Sequence, residues 1–202
     1  VYGPRQIAPL EWSIVRRVLD RRESIIVPEG GLMAETRSYS ENAAHTVLLA
    51  VDTPSVAGRS FNVGDEEALT TSQRIKLVCA ALGHEMEIVG MPSHLALPAR
   101  PFMMQEEPGH RVLDLSATRD LLGYRDLVPA RTAVGIAARW LAENPLEPES
   151  RDEAVLEDPF DYDREDRLLD WWHAATCDPP DLHYPVDPGY GSYFSGPGTS
   201  RR

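Results

Sequence analysis

Short apolar runs alternate with amphipathic stretches along residues 1–144, and few folds accept that alternation. Residues 9–23 predict a helix. Pro9 and Glu11 suit its first turn, Arg21 and Arg22 suit its last, and Ile14, Val15, Val18 and Leu19 share one face. Ile25-Ile26-Val27, closed by Pro28-Glu29-Gly30-Gly31, predicts a strand and then a turn. A second helix is expected over 41–52, with Ala44, Val47, Leu48 and Val51 as its apolar repeat and Pro54 just beyond it. Ser60-Phe61-Asn62-Val63 reads as a strand ended by Gly64-Asp65.

The third helix has the best-marked ends. Thr70 and Gln73 match the capping box, in which each side chain satisfies an orphan amide. Ile75, Val78, Cys79 and Leu82 form its buried stripe, and Gly83 stops it. Glu87-Ile88-Val89 reads as a strand. Ser116 to Gly123 predicts a short helix, and Pro129 to Glu143 a longer one with Val134, Ala137, Ala138 and Leu141 inward. Strands and helices joined by about 2–6 residues define an α/β architecture.

Beyond Asn144-Pro145 the composition shifts. Residues 145–202 form an acidic, Pro- and Gly-rich tail with one helix expected around Arg167–Trp172, and the stretch from Pro179 onward reads as irregular. The net charge of -12 argues against nucleic acid, whose backbone demands a basic surface. Much of that charge lies between Glu147 and Asp170, whereas Arg5, Arg16, Arg17, Arg21, Arg22 and Arg37 cluster early. The asymmetry suggests an anion site near the N-terminal part. Arg16, Arg17, Arg21 and Arg22 also read simply as the solvated face of their helix.

No apolar stretch approaches the roughly 18–20 residues of a membrane span, and no signal peptide is visible, so a cytoplasmic protein without a membrane partner is expected. Cys79 reads as a buried small hydrophobe, and with Cys177 it forms no metal-like pair. His84-Glu85-Met86-Glu87 lacks the second His of a zinc helix. His173, Cys177 and His183 are spaced across Pro-interrupted sequence, so no metal site is assigned. No Gly-x-Ser-x-Gly elbow exists for a serine hydrolase.

Val1-Tyr2-Gly3-Pro4 reads as the end of a buried strand running into a loop, so part of the machinery is expected upstream. Taken with Gly30-Gly31, Thr36-Arg37-Ser38-Tyr39, Phe61-Asn62-Val63-Gly64 and Leu121-Leu122-Gly123-Tyr124, it carries a resemblance. In order and spacing, residues 1–144 resemble the C-terminal half of an extended short-chain dehydrogenase/reductase of the NAD-dependent epimerase/dehydratase family. The resemblance implies the C-terminal part of a Rossmann-type NAD(P)-binding fold with a small substrate-binding subdomain, its N-terminal dinucleotide-binding half missing. It places Tyr2, Gly3 and Pro4 near the cofactor, and Arg37 on an anionic group of a sugar or nucleotide-sugar-like substrate. Trp12 and Arg5 join Arg37 as substrate-binding candidates, although Trp12 reads at least as well as core.

The chain also departs from that family. Its glycine-rich phosphate loop is absent, and so is the Tyr-x-x-x-Lys pair, because Lys76 is the only lysine. Ser40-Glu41-Asn42 replaces a Val-x-Asp segment, and Ala117 stands where a lysine is common. No catalytic residue is therefore assigned. NAD or NADP is expected in the complete fold but not on this chain alone, and the partners expected are the missing Rossmann half and, when complete, a second copy in a homodimer. The alternative reading is a non-catalytic ligand-binding or interaction module, or an inactive truncated gene product.

Overall fold

The computed structural model describes residues 1–103 and 108–178 and, beyond them, Pro180, Asp181, His183 and Pro185. The rest of the stretch expected to be irregular from Pro179 lies outside the described residues. Two compact units are present, Val1–Glu165 and Asp166 onward. Residues 145–165 thus belong with the first unit rather than with a tail beginning at 145.

Helix α1 (Trp12–Leu19) is shorter than its pattern suggested. It closes because Arg21 adopts a left-handed φ of 58°. That turn lets the Arg22 and Arg21 amides reach the Arg17 and Val18 carbonyls at 2.9 and 3.1 Å, a Schellman closure with arginine where glycine is usual. Strand β1 (Ser24–Pro28) follows and is buried from Ile25 onward. After β2 (Ala34–Glu35) comes α2 (Ser40–Val51), then β3 (Leu69–Thr70) and α3 (Thr71–Leu82). The capping box at Thr70 and Gln73 is present in both directions, and Gly83 caps the far end in the left-handed region.

Strand β4 (Glu87–Met91) runs parallel to β1, with Ile25 opposite Ile88 and Val27 opposite Gly90. A side chain at Gly90 would lie 2.8 Å from the Gly30 backbone, so this close approach requires glycine. Strands β2 and β3 pair antiparallel, and Tyr2 forms a single parallel bridge to Tyr39. Helices α4 (Ser116–Leu122) and α5 (Ala130–Glu143) stand close to their expected bounds. Two more complete the described chain, α6 (Arg151–Ala154) and α7 (Tyr162–Thr176). Helices α1, α3 and α5 pack on one another, and their core includes Val15, Val18, Ile75, Val78, Val134 and Leu141.

Four expectations are corrected. Residues 60–63 form no strand; side chains hold them instead of a ladder: Asn62 donates to the Asp114 carbonyl, and Thr118 donates to the Asn62 carbonyl. The apolar repeat of α2 faces outward, with Val47, Leu48 and Val51 59%, 61% and 71% exposed. Its buried residues are the polar Asn42 and Thr46. The arginines of α1 are not a uniformly wet face, since Arg17 is only 1% exposed. Finally, residues 145–165 fold back onto α1. There Glu153 accepts hydrogen bonds from Trp12 Nε1 at 2.8 Å and Arg16 at 2.6 Å, while Asp158 and Glu165 close on Arg17.

Among the described residues, no helix is long and apolar enough to cross a membrane.

Candidate functional site

Tyr2 sits at the centre of a buried polar network. Its hydroxyl donates to Asp65 Oδ2 at 2.8 Å, and Asp65 Oδ1 accepts from the Tyr39 amide and from Asn42 Nδ2, both at 2.9 Å. The Asn42 side-chain oxygen in turn accepts the amides of Leu127 and Val128 at 3.0 Å. A buried carboxylate with three donors is well compensated even without a cation. Burial, with the Asp65 charge behind it, pushes the Tyr2 phenol well above its ordinary value, so the hydroxyl stays protonated.

Two guanidinium groups lie over the Tyr2 ring, the Arg37 Cζ at 5.2 Å from its centroid and the Arg74 Cζ at 5.5 Å. Both side chains line a cavity of about 40 Å3 together with Glu11, Glu35, Leu69 and Phe102. Arg37 reaches it from the segment between β2 and α2, Arg74 from the first turn of α3, and Glu11 from just before α1. Glu11 is fully buried, accepting from Arg37 at 2.6 Å and from Gln6 at 3.1 Å. Burial alone would raise its carboxyl, but the Arg37 and Arg74 charges and the Gln6 bond outweigh it and hold Glu11 below the usual carboxylate range.

The residues singled out from sequence separate here. Arg37 lines the cavity and lies over the Tyr2 ring, which is itself buried behind it. Trp12 does not join them; it is buried against Glu153. Arg5 is exposed on a left-handed backbone. Gly3, at φ 136°, is packed so closely that a side chain there would meet Ser40 Oγ at 2.7 Å and the Tyr39 ring at 3.0 Å. Pro4 is half-buried.

The residues placed near a dinucleotide do not by themselves fit one. Tyr2 has committed its hydroxyl to Asp65, and Gly3 has its open side filled by protein. Sequence reasoning did not find Glu11, Arg74 or Asp65. Arg74 carried a readable signal, an arginine within the apolar stripe of α3, one residue before Ile75.

No family model and no curated protein sequence matches this chain. Solved structures do. A UDP-galactose 4-epimerase aligns at 17% identity and a TM-score of 0.54, over 72% of this chain and 43% of that one. The UDP-glucuronic acid 4-epimerase from Bacillus cereus, solved with UDP-glucuronic acid and NAD, aligns at 16% and 0.57 over 71% and 43%. The dTDP-glucose 4,6-dehydratase from Bacillus anthracis, solved with NAD, aligns at 13% and 0.51 over 71% and 42%. The chain carries a portion of this Rossmann-type epimerase fold. At such identities the likeness is one of fold, and the chain spans less than half the length of these relatives.

Proposed function

We propose that this chain supplies the substrate side of an NAD(P)-dependent epimerase, dehydratase or reductase acting on a sugar or nucleotide-sugar-like compound. One observation carries the reading: in a fold shared with such enzymes, Arg37 stands half-buried over Tyr2 at a cavity wall, ion-paired through one nitrogen to Glu11. That pairing anchors one nitrogen of the guanidinium, and in this reading its other N–H groups meet a ligand anion. Arginine suits the task because its donors match two oxygens of a phosphate at once.

In this reading Glu11 is a positioning residue, and Tyr2 is the surface on which Arg37 rests. The nicotinamide, when bound by the rest of the fold, supplies the hydride acceptor. This chain binds and orients the substrate and contributes no acid–base group.

The test is steady-state kinetics of the complete protein on UDP-hexoses, with Arg37→Ala and Arg37→Lys beside the wild type and thermal melts run in parallel. Losing a charge-assisted contact of about 1.5–3 kcal/mol corresponds to roughly a tenfold to hundredfold loss in apparent affinity. Both variants are expected to show it, Lys included. Wild-type kinetics in both, or losses that merely track lost folding, would show Arg37 to be structural.

A further inference from the structure

Arg74 is 7% exposed, yet among the described residues its only hydrogen bond is a long one, 3.4 Å from Nη2 to the Glu35 carbonyl. Its Nη1 is enclosed and has no partner among the described residues. The carboxylates within reach are already engaged, Glu11 by Arg37 and Gln6, and Glu35 by Arg111 at 3.5 Å. Asp65 lies at the hydroxyl end of Tyr2 with its oxygens occupied by three donors. Of the charged residues that line the cavity, Arg37, Arg74, Glu11 and Glu35, Arg74 is the one with no ion pair among the described residues.

A buried cation with no ion pair is costly, and folds retain one chiefly where something else neutralises it. Burial first, then the neighbouring Arg37 charge, pushes the Arg74 guanidinium below its ordinary value, and Glu11 offsets this only in part. The cavity that Arg74 lines also carries the apolar Ile14, Leu69 and Phe102, neighbours that an apolar side chain at this position would have.

We infer that Arg74 is a second anion-binding residue of this cavity, closing with Arg37 on one phosphoryl group of the ligand above the Tyr2 ring. The inference rests on the proposed substrate side and adds to it a specific recognition element. A guanidinium offers about five donors, so the pair presents more than one carboxylate's roughly four lone-pair sites can absorb, and a phosphoryl group uses them better. Thr71 lines the same cavity.

The experiment is calorimetric titration of residues 1–202 with inorganic phosphate and pyrophosphate at fixed ionic strength, on wild type, Arg74→Met, Arg74→Lys and Arg37→Met, with melts of each. Arg74→Met is expected to weaken pyrophosphate binding about tenfold or more while melting roughly 2–8 °C higher, because it removes an uncompensated buried charge. Arg74→Lys retains the charge without the fork and is expected to recover only part of the binding. Undiminished binding by Arg74→Met overturns the assignment, as does a lowered melting temperature, which would make Arg74 a structural residue. Weakening by Arg37→Met alone overturns it while leaving the Arg37 reading intact. Binding that depends on both arginines supports it, even if the complete protein fails to turn over UDP-hexoses; only the proposed reaction would then fall.

Discussion

Glu11 and Glu153 are carboxylates whose folded environment favours the charged form, and their titration sets how the protein responds to acid. For Glu153, burial pushes the carboxyl up, but the Trp12 N–H, the Glu149 amide and Arg16 together bring it below its ordinary value. Glu11 is lowered for the analogous reasons given above. A carboxyl depressed in the folded state contributes stability that is fully present above its unfolded value of about 4.3 and disappears as pH falls through the folded one. Between pH 7 and 5 these two groups should leave the melting temperature flat, and below about pH 4 they should lower it. Glu153→Gln keeps the shape and removes the titration, so its melting curve is expected to start lower at pH 7 and to fall less steeply in acid. Thermal melts from pH 3 to 7 decide the matter. Parallel slopes for wild type, Glu153→Gln and Glu11→Gln would show that other groups govern acid sensitivity.

At the level of elements, residues 150–165 join the core through Leu156 and Phe160, and their contact with α1 adds a buried set of charges. Arg17, with its side chain 2% exposed, is gripped by Asp158 at 2.7 Å and by Glu165, and it also donates to the Ser13 carbonyl at 2.8 Å. The Phe160 ring covers Arg16 and Arg17, their Cζ atoms 4.1 and 5.2 Å from its centroid. Breaking such a set from one side leaves a buried charge without its partner, at a cost of about 3–5 kcal/mol. Asp158→Ala should therefore melt roughly 6–20 °C lower. Joint replacement of Arg17, Asp158 and Glu165 by Met and Leu should recover most of that loss. Differential scanning calorimetry of the two proteins tests it, and an Asp158→Ala melt within a degree or two of wild type would count against the clasp. The same contact shows where sequence reasoning reached its limit. Local signals were legible: Thr70, Gln73 and Gly83 announced α3, and Ile25-Ile26-Val27 announced β1. Arg17 and Asp158 meet across 141 residues, and no periodicity encodes such a pairing. Likewise Arg37 could be singled out from its motif, but Glu11 looked like an ordinary first-turn acid, and Arg74 like a misplaced charge on a helix. Only the fold brings the three to one cavity.

On the scale of the whole molecule, α2 is the element whose surface is least explained by the described residues. Its polar side is inward because Asn42 must bridge Asp65 to the 127–128 backbone, and that requirement turns Ala44, Val47, Leu48 and Val51 to solvent. In the segment 60–63, Phe61 and Val63 are half-buried and the backbone lies outside any strand ladder. An exposed apolar helix face is what a further layer of the fold would cover. The solved relatives run to more than twice the length of this chain's match, and we propose that a dinucleotide-binding half of that same fold is the occupant. Residues 1–202 by themselves should then associate through the α2 face and bind a dye that reports exposed apolar surface. Leu48→Glu with Val51→Lys should restore a monomer while leaving the helical circular dichroism signal unchanged, because neither side chain touches the core. The same pair of substitutions, placed in a protein that includes the proposed half, should lower its stability, since that half would bury the face. Size-exclusion chromatography with light scattering, run on both forms, separates the outcomes. A compact, dye-silent monomer of the unmodified chain would mean that this surface is finished as it stands, and the case for a covering half would fall with it.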